Sequence, residues 1–124
     1  MINPIQEKPS IIIMGKKWFE TSYKKGKPHG TSTTWNENET KASEMEFKNG
    51  APNGLHTTWY DNGQKETEGK LKEEKEHGAH TYWYKNGQKW KELTFIEGRL
   101  HGIQQSWSLD GKEVSEVMFK EGEP

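Results

Sequence analysis

The sequence predicts an all-β fold, an extended single sheet of stacked antiparallel β-hairpins with a 24-residue period and about ten strands. Three observations carry this reading. Gly30, Gly54, Gly78 and Gly102 are evenly spaced, and Trp35, Trp59, Trp83 and Trp107 follow each of them by five positions. A second glycine column, Gly26, Gly50, Gly98 and Gly122, and a third, Gly63, Gly87 and Gly111, share the frame, so no uninterrupted stretch is long enough for a useful helix. Between the glycines lie β-formers, as in Leu55-His56-Thr57-Thr58-Trp59-Tyr60 before the turn signal Asp61-Asn62-Gly63.

The elements follow in order. Residues 1–10 read as an extended, Pro-containing leader, and residues 11–124 as one repeat domain. That domain holds a partial unit, 11–25, opened by the turn glycine Gly15, and four full units, 26–49, 50–73, 74–97 and 98–121. The first full unit has Asn36-Glu37-Asn38-Glu39 where the others place a glycine, which predicts a longer or less ordered turn. A three-residue loop with Gly63 left-handed would set Trp59 opposite Lys65, Thr57 opposite Thr67 and Leu55 opposite Gly69. A five-residue connection over residues 49–53 would keep that parity and set Phe47 opposite Leu55 and Phe95 opposite Ile103. One face would then carry the tryptophans with Phe47, Leu71, Phe95 and Phe119. The other would carry Glu20, Glu44, Glu68, Glu92 and Glu116 with His56, His80, Tyr60, Tyr82, Tyr84 and Trp90.

Composition narrows the function. Leu, Ile, Val and Phe make up 18 of 124 residues, which leaves too little for a thick two-layer core. Net charge is only -1, so charge repulsion does not hold the chain open, and no basic excess marks a nucleic-acid binder. Cysteine is absent, which removes disulfides and thiolate chemistry. The amino-terminal residues lack the charged and apolar regions of a secretion signal, and Ile11-Ile12-Ile13-Met14 is far short of the ~20 residues that span a bilayer. A cytoplasmic location is expected.

The pattern Gly-x-x-x-Gly-x-x-x-x-Trp-Tyr-x-Asn-Gly-Gln-Lys, clearest at 50–65 and again at 77–89, resembles the variant form of the MORN repeat. Through that repeat the chain resembles the YwqK-like family of bacterial antitoxins, from residue 15 to residue 122. The resemblance implies an extended sheet of hairpins, a protein- or lipid-binding role and no catalytic activity.

The residues offer little catalytic chemistry of their own. His29, His77 and His101 share one column and His56 and His80 another, but equivalent strands stand about 9.6 Å apart, too far to share one zinc ion. Neither a metal site nor a cofactor is expected. In the parity above, His56 faces Glu68 and His80 faces Glu92, which predicts cross-strand ion pairs. The glutamate column reads as a solvated ladder of mixed charge rather than a carboxylate pair. Gly30, Gly54, Gly78, Gly102 and the tryptophans recur in every unit and read as architecture. Tyr60, Tyr82, Tyr84 and Trp90 are restricted to the central units and read as recognition, with His56, His80, Glu68 and Glu92 at the rim. The expected function is a non-enzymatic module that binds another protein, a cognate toxin being the first candidate. A phospholipid surface and a self-assembling structural element are the alternatives.

Overall fold

The computed structural model describes residues 10–14 and 17–123. The predicted leader, apart from Ser10, and the turn glycine Gly15 lie outside the described residues. Eleven strand segments form one antiparallel sheet: β1 Ser10–Met14, β2 Lys17–Lys24, β3 Lys27–Trp35, β4 Lys41–Lys48, β5 Ala51–Trp59, β6 Lys65–Lys72, β7 Lys75–Trp83, β8 Lys89–Ile96, β9 Arg99–Leu100, β10 Gly102–Trp107 and β11 Glu113–Phe119. Neighbours in sequence are neighbours in the sheet. Segments β9 and β10 are one strand interrupted at His101, so the expected ten strands and the open hairpin array are both present.

Two kinds of turn alternate. At one end of the sheet Lys48 pairs with Ala51 and Lys72 with Lys75, so two residues close each connection. Asn49 (φ 51°) and Gly50 (φ 88°) are both left-handed, which is the mirror-image turn that matches strand twist. The five-residue connection over 49–53 is therefore corrected: Pro52 and Gly54 read as loop residues but lie inside β5. Glu73 (φ 51°) and Glu74 (φ 69°) make the same turn without a glycine.

At the other end Asp61-Asn62-Gly63 is the expected three-residue loop, with Tyr60 N–H donating to Gln64 O at 2.8 Å and Gly63 N–H to Tyr60 O at 3.0 Å. The loop of the first full unit is neither longer nor looser. Asn36 N–H donates to Thr40 O at 2.7 Å and Glu39 N–H to Asn36 O at 2.9 Å, with Glu39 (φ 69°) in the glycine position.

A bulge beside each such loop overturns the predicted parity. Trp59 faces Lys65 as expected, but the next pair is Thr58 with Thr67, leaving Glu66 as an extra residue. Beyond it Thr57 faces Glu68, His56 faces Gly69 and Leu55 faces Lys70. The same shift follows Trp35, Trp83 and Trp107. Near the other turns Phe47 faces Pro52 rather than Leu55, and Phe95 faces Leu100 rather than Ile103. One extra residue moves a whole strand to the opposite face. The tryptophans therefore share their face with the glutamates, and Phe47, Leu71, Phe95 and Phe119 lie on the other with His56 and His80.

Packing is thin, as the composition requires. Among the described residues no hydrophobic side chain is buried; Thr21, Ser32, Thr33, Thr57 and Gln104 are. Hydroxyl pairs stitch neighbouring strands: Thr21 with Ser32 at 2.8 Å, Thr58 with Thr67 at 2.7 Å and Ser106 with Ser115 at 2.7 Å. The buried Thr21–Ser32 pair satisfies two polar groups that the sheet would otherwise strip of water.

Candidate functional site

The two faces of the sheet have different chemistry, and the 24-residue period explains one of them. On the indole face the Lys65 ammonium reaches Glu68 Oε2 at 2.8 Å and lies 5.8 Å from the ring centre of Trp83, on the next hairpin. Thr57 donates to the same carboxylate at 3.2 Å. Lys89 repeats this with Glu92 at 3.1 Å and Trp107 at 5.5 Å, and Lys41 with Glu44 at 2.9 Å and Trp59 at 5.6 Å. Each lysine thus sits between a carboxylate of its own hairpin and an indole of the next. An arrangement present in every full hairpin but the last is a joint between repeats.

This placement corrects the predicted rim. Glu68 and Glu92 do not join the tyrosines, and they do not pair with His56 and His80. Thr57 and Thr81 stand opposite them, and Lys65 and Lys89 neutralise them. The error has one source, the extra residue at each bulge.

The opposite face departs from the period at the third full hairpin, β7 and β8. Trp90 is the extra residue of its bulge, between the Trp83–Lys89 and Tyr82–Lys91 pairs, and is 41% exposed. Its ring centre lies 6.1 Å from Tyr82, edge to face, and 5.9 Å from Tyr84, tilted by 35°. The Lys91 ammonium stands 4.5 Å from the centre of Trp90 and 4.7 Å from that of Tyr82. Three of the predicted aromatics therefore converge, although Tyr82 faces Lys91 rather than Trp90 in the ladder.

Lys91 is the member that composition and period did not single out. Its column holds Ser43, Thr67 and Ser115 elsewhere, and that single change of residue type is the signal that marks it.

The histidines border this cluster. His80 follows Tyr82 on the same face, packs on the Phe95 ring edge to face at 5.0 Å, and its Nε2 lies 2.9 Å from Lys70 O. It occupies the space left by Gly69, where a Cβ would collide with the imidazole. His56 lies across Gly69 from it. Burial, and then the charge of His80, hold the His56 imidazolium below the ordinary histidine range. His56, Gly69, Leu71, His80, Phe95 and Tyr82 line a shallow groove of ≈ 320 Å³. Among the described residues no three His, Asp or Glu side chains converge as metal ligands would.

Tyr60 does something else. Its hydroxyl donates to Trp83 O at 2.7 Å, as that of Tyr84 does to Trp107 O at 2.8 Å. Asn62 and Asn86 add side-chain bonds to Lys85 O at 2.9 Å and Leu109 O at 3.1 Å. The tyrosine predicted as an anchor in the second hairpin is thus a tie to the third, whereas Tyr84 serves both as a tie and in the cluster.

Hairpins added edge to edge, joined by recurring contacts and with no buried hydrophobic side chain among the described residues, define a repeat module. Two of its segments, 28–49 and 76–97, match the family described as MORN repeat variant. These segments fall on β3–β4 and β7–β8. No curated protein matches the chain.

Proposed function

We propose that the chain is a non-enzymatic binding module that captures another protein on the face bearing Tyr82, Tyr84, Trp90 and Lys91. The supporting observation is the break in the period: the column of Trp90 reads Ala42, Glu66, Trp90, Val114, and that of Tyr82 reads Thr34, Thr58, Tyr82, Ser106. Side chains that hold the repeats together are needed in every repeat. Tyr82 and Trp90 are confined to one hairpin, unlike the tyrosine ties of Tyr60 and Tyr84, and aromatic rings beside a cation are the usual anchors of protein interfaces. Preformed strands lose little conformational freedom on docking, so the surface is suited to occluding a partner. The YwqK-like resemblance extends this reading to a bacterial, cytoplasmic antitoxin whose partner is a toxin.

Affinity capture with the wild-type chain and with the double variant Tyr82→Ala, Trp90→Ala tests the reading. The variant is expected to lose its partner while keeping a β-type far-ultraviolet spectrum; undiminished capture would place the contact elsewhere. Sedimentation with anionic liposomes separates the lipid alternative, for which Lys and Arg gathered on one side would be needed.

A further inference from the structure

Among the described residues the outer edge of β11 has no strand beside it, and β1 is the last strand on the other side. An open edge presents unpaired N–H and C=O groups, a ready template for another strand. We propose that the β11 edge takes β1 of a second copy of this chain, head to tail, so that the sheet continues from one molecule into the next.

The register supports this occupant. Inside the sheet every strand of the β11 type is followed by a partner in one fixed alignment: Glu20 faces Thr33, Glu44 faces Thr57, Glu68 faces Thr81 and Glu92 faces Gln105. Glu116 is the next glutamate of that column and its outer side is open. Strand β1 belongs to the type that completes the junction, since Ile11 faces Glu20 as Thr33 faces Glu44 and Thr57 faces Glu68. Continuing the alignment sets Ser115, Glu116 and Val117 opposite Ile12, Ile11 and Ser10 of the second copy.

Composition at the two ends is complementary. Met118 stands where inner strands have Glu46, Lys70 and Thr94, and it is 60% exposed. Val114 and Val117 on the same strand are 67% and 40% exposed. By strand pairing Ile11 takes the position of Thr33, Thr57 and Thr81, and Ile12 that of Thr34, Thr58 and Tyr82. Met118 of β11 and Ile11 of β1 are thus apolar where the interior strands are polar, as residues covered by a neighbouring strand would be. Pairing β11 with β11 of a second copy instead would crowd Glu113 and Glu116 of both molecules along one edge, where like charges repel.

A heterologous contact that does not close yields an open series, whereas a two-fold contact stops at a dimer. Light scattering on the full chain over a concentration series is expected to give masses rising past twice 14.4 kDa. The variants Val114→Lys, Val117→Lys together, and Ile11→Lys alone, are each expected to remain monomeric with unchanged β-type circular dichroism. Mixed one to one they retain one intact edge each and are expected to form a dimer and nothing larger. A wild-type mass fixed at the monomer, or a wild-type dimer that only the β11 variant abolishes, would overturn the proposal.

Discussion

The Tyr60 hydroxyl donates a 2.7 Å hydrogen bond to the carbonyl of Trp83, 23 residues further on, and so ties the loop of the second full hairpin to the end of the third. The phenol is held above its ordinary pKa by burial and by the charge of Glu66, which keeps the donor protonated. Replacing Tyr60 by Phe removes this bond alone and is expected to cost about 1 kcal/mol in chemical denaturation. Tyr82→Phe, which breaks no such bond, is the control expected to leave stability unchanged.

Glu74 is strained where its neighbours in the period are not. It holds φ 69° in the turn position that Gly26, Gly50, Gly98 and Gly122 fill elsewhere. A left-handed conformation costs an L-residue roughly 1–2 kcal/mol, and glycine avoids the clash. Glu74→Gly is expected to raise the denaturation midpoint by an amount equivalent to about 1 kcal/mol, and Glu39→Gly (φ 69°) to act in the same direction.

Gly69 is needed for a different reason, because its φ is ordinary and its neighbour is not. A Cβ there would meet the His80 ring, which is held by Lys70 O and Phe95. Gly69→Ala is expected to cost roughly 1–3 kcal/mol and to displace the imidazole. The check is the chemical shift of the His80 ring protons, which should lose the influence of Phe95.

The joints on the indole face contain both an ion pair and a cation–indole contact, and magnitudes decide between them. Lys65 and Glu68 are partly exposed, so Glu68→Gln is expected to cost less than about 1 kcal/mol and to lose most of that effect in high salt. Trp83→Ala removes a large apolar ring and is expected to cost about 2–3 kcal/mol. Denaturant melts of the two variants at low and high ionic strength distinguish the contributions.

His56 gives the fold an acid-sensitive element. Its folded pKa lies below the ordinary histidine value, through burial first and the His80 charge second. The unfolded chain therefore takes up the proton before the folded one does. The contribution of His56 is fully present above pH 6.5 and is lost as pH falls from there toward the depressed folded value. Thermal melts between pH 7.5 and 5 are expected to show this loss in the wild type and a shallower slope in His56→Thr.

The period, the strand number and the three-residue loops were legible because glycine and Asx residues report backbone conformation directly. Gly63 announces a left-handed position, and Trp59 opposite Lys65 follows from loop length alone. The faces were not legible. A bulge at Glu66 adds one residue without altering the alternation of residue types, so Thr57–Thr67 and Thr57–Glu68 are equally good patterns. Pro52 and Gly54 were misleading in the opposite sense: both look like loop residues but sit in β5 opposite Phe47 and Leu71, and Gly54 leaves room for the Glu46 side chain. The convergence of Tyr82, Tyr84 and Trp90 was legible in their confinement to the central units, and the predicted rim was misplaced because the bulges sent Glu68 and Glu92 to the other side.

The division of the sheet into an indole face and the face proposed to bind rests on where two rings point, and nuclear Overhauser contacts in the labelled full chain measure that directly. Cross-peaks from the Lys65 side chain to the Trp83 indole, and from the His80 ring to Phe95, are expected, with none between Trp83 and Phe95. A strong Trp83–Phe95 contact would put both on one side and contradict the division.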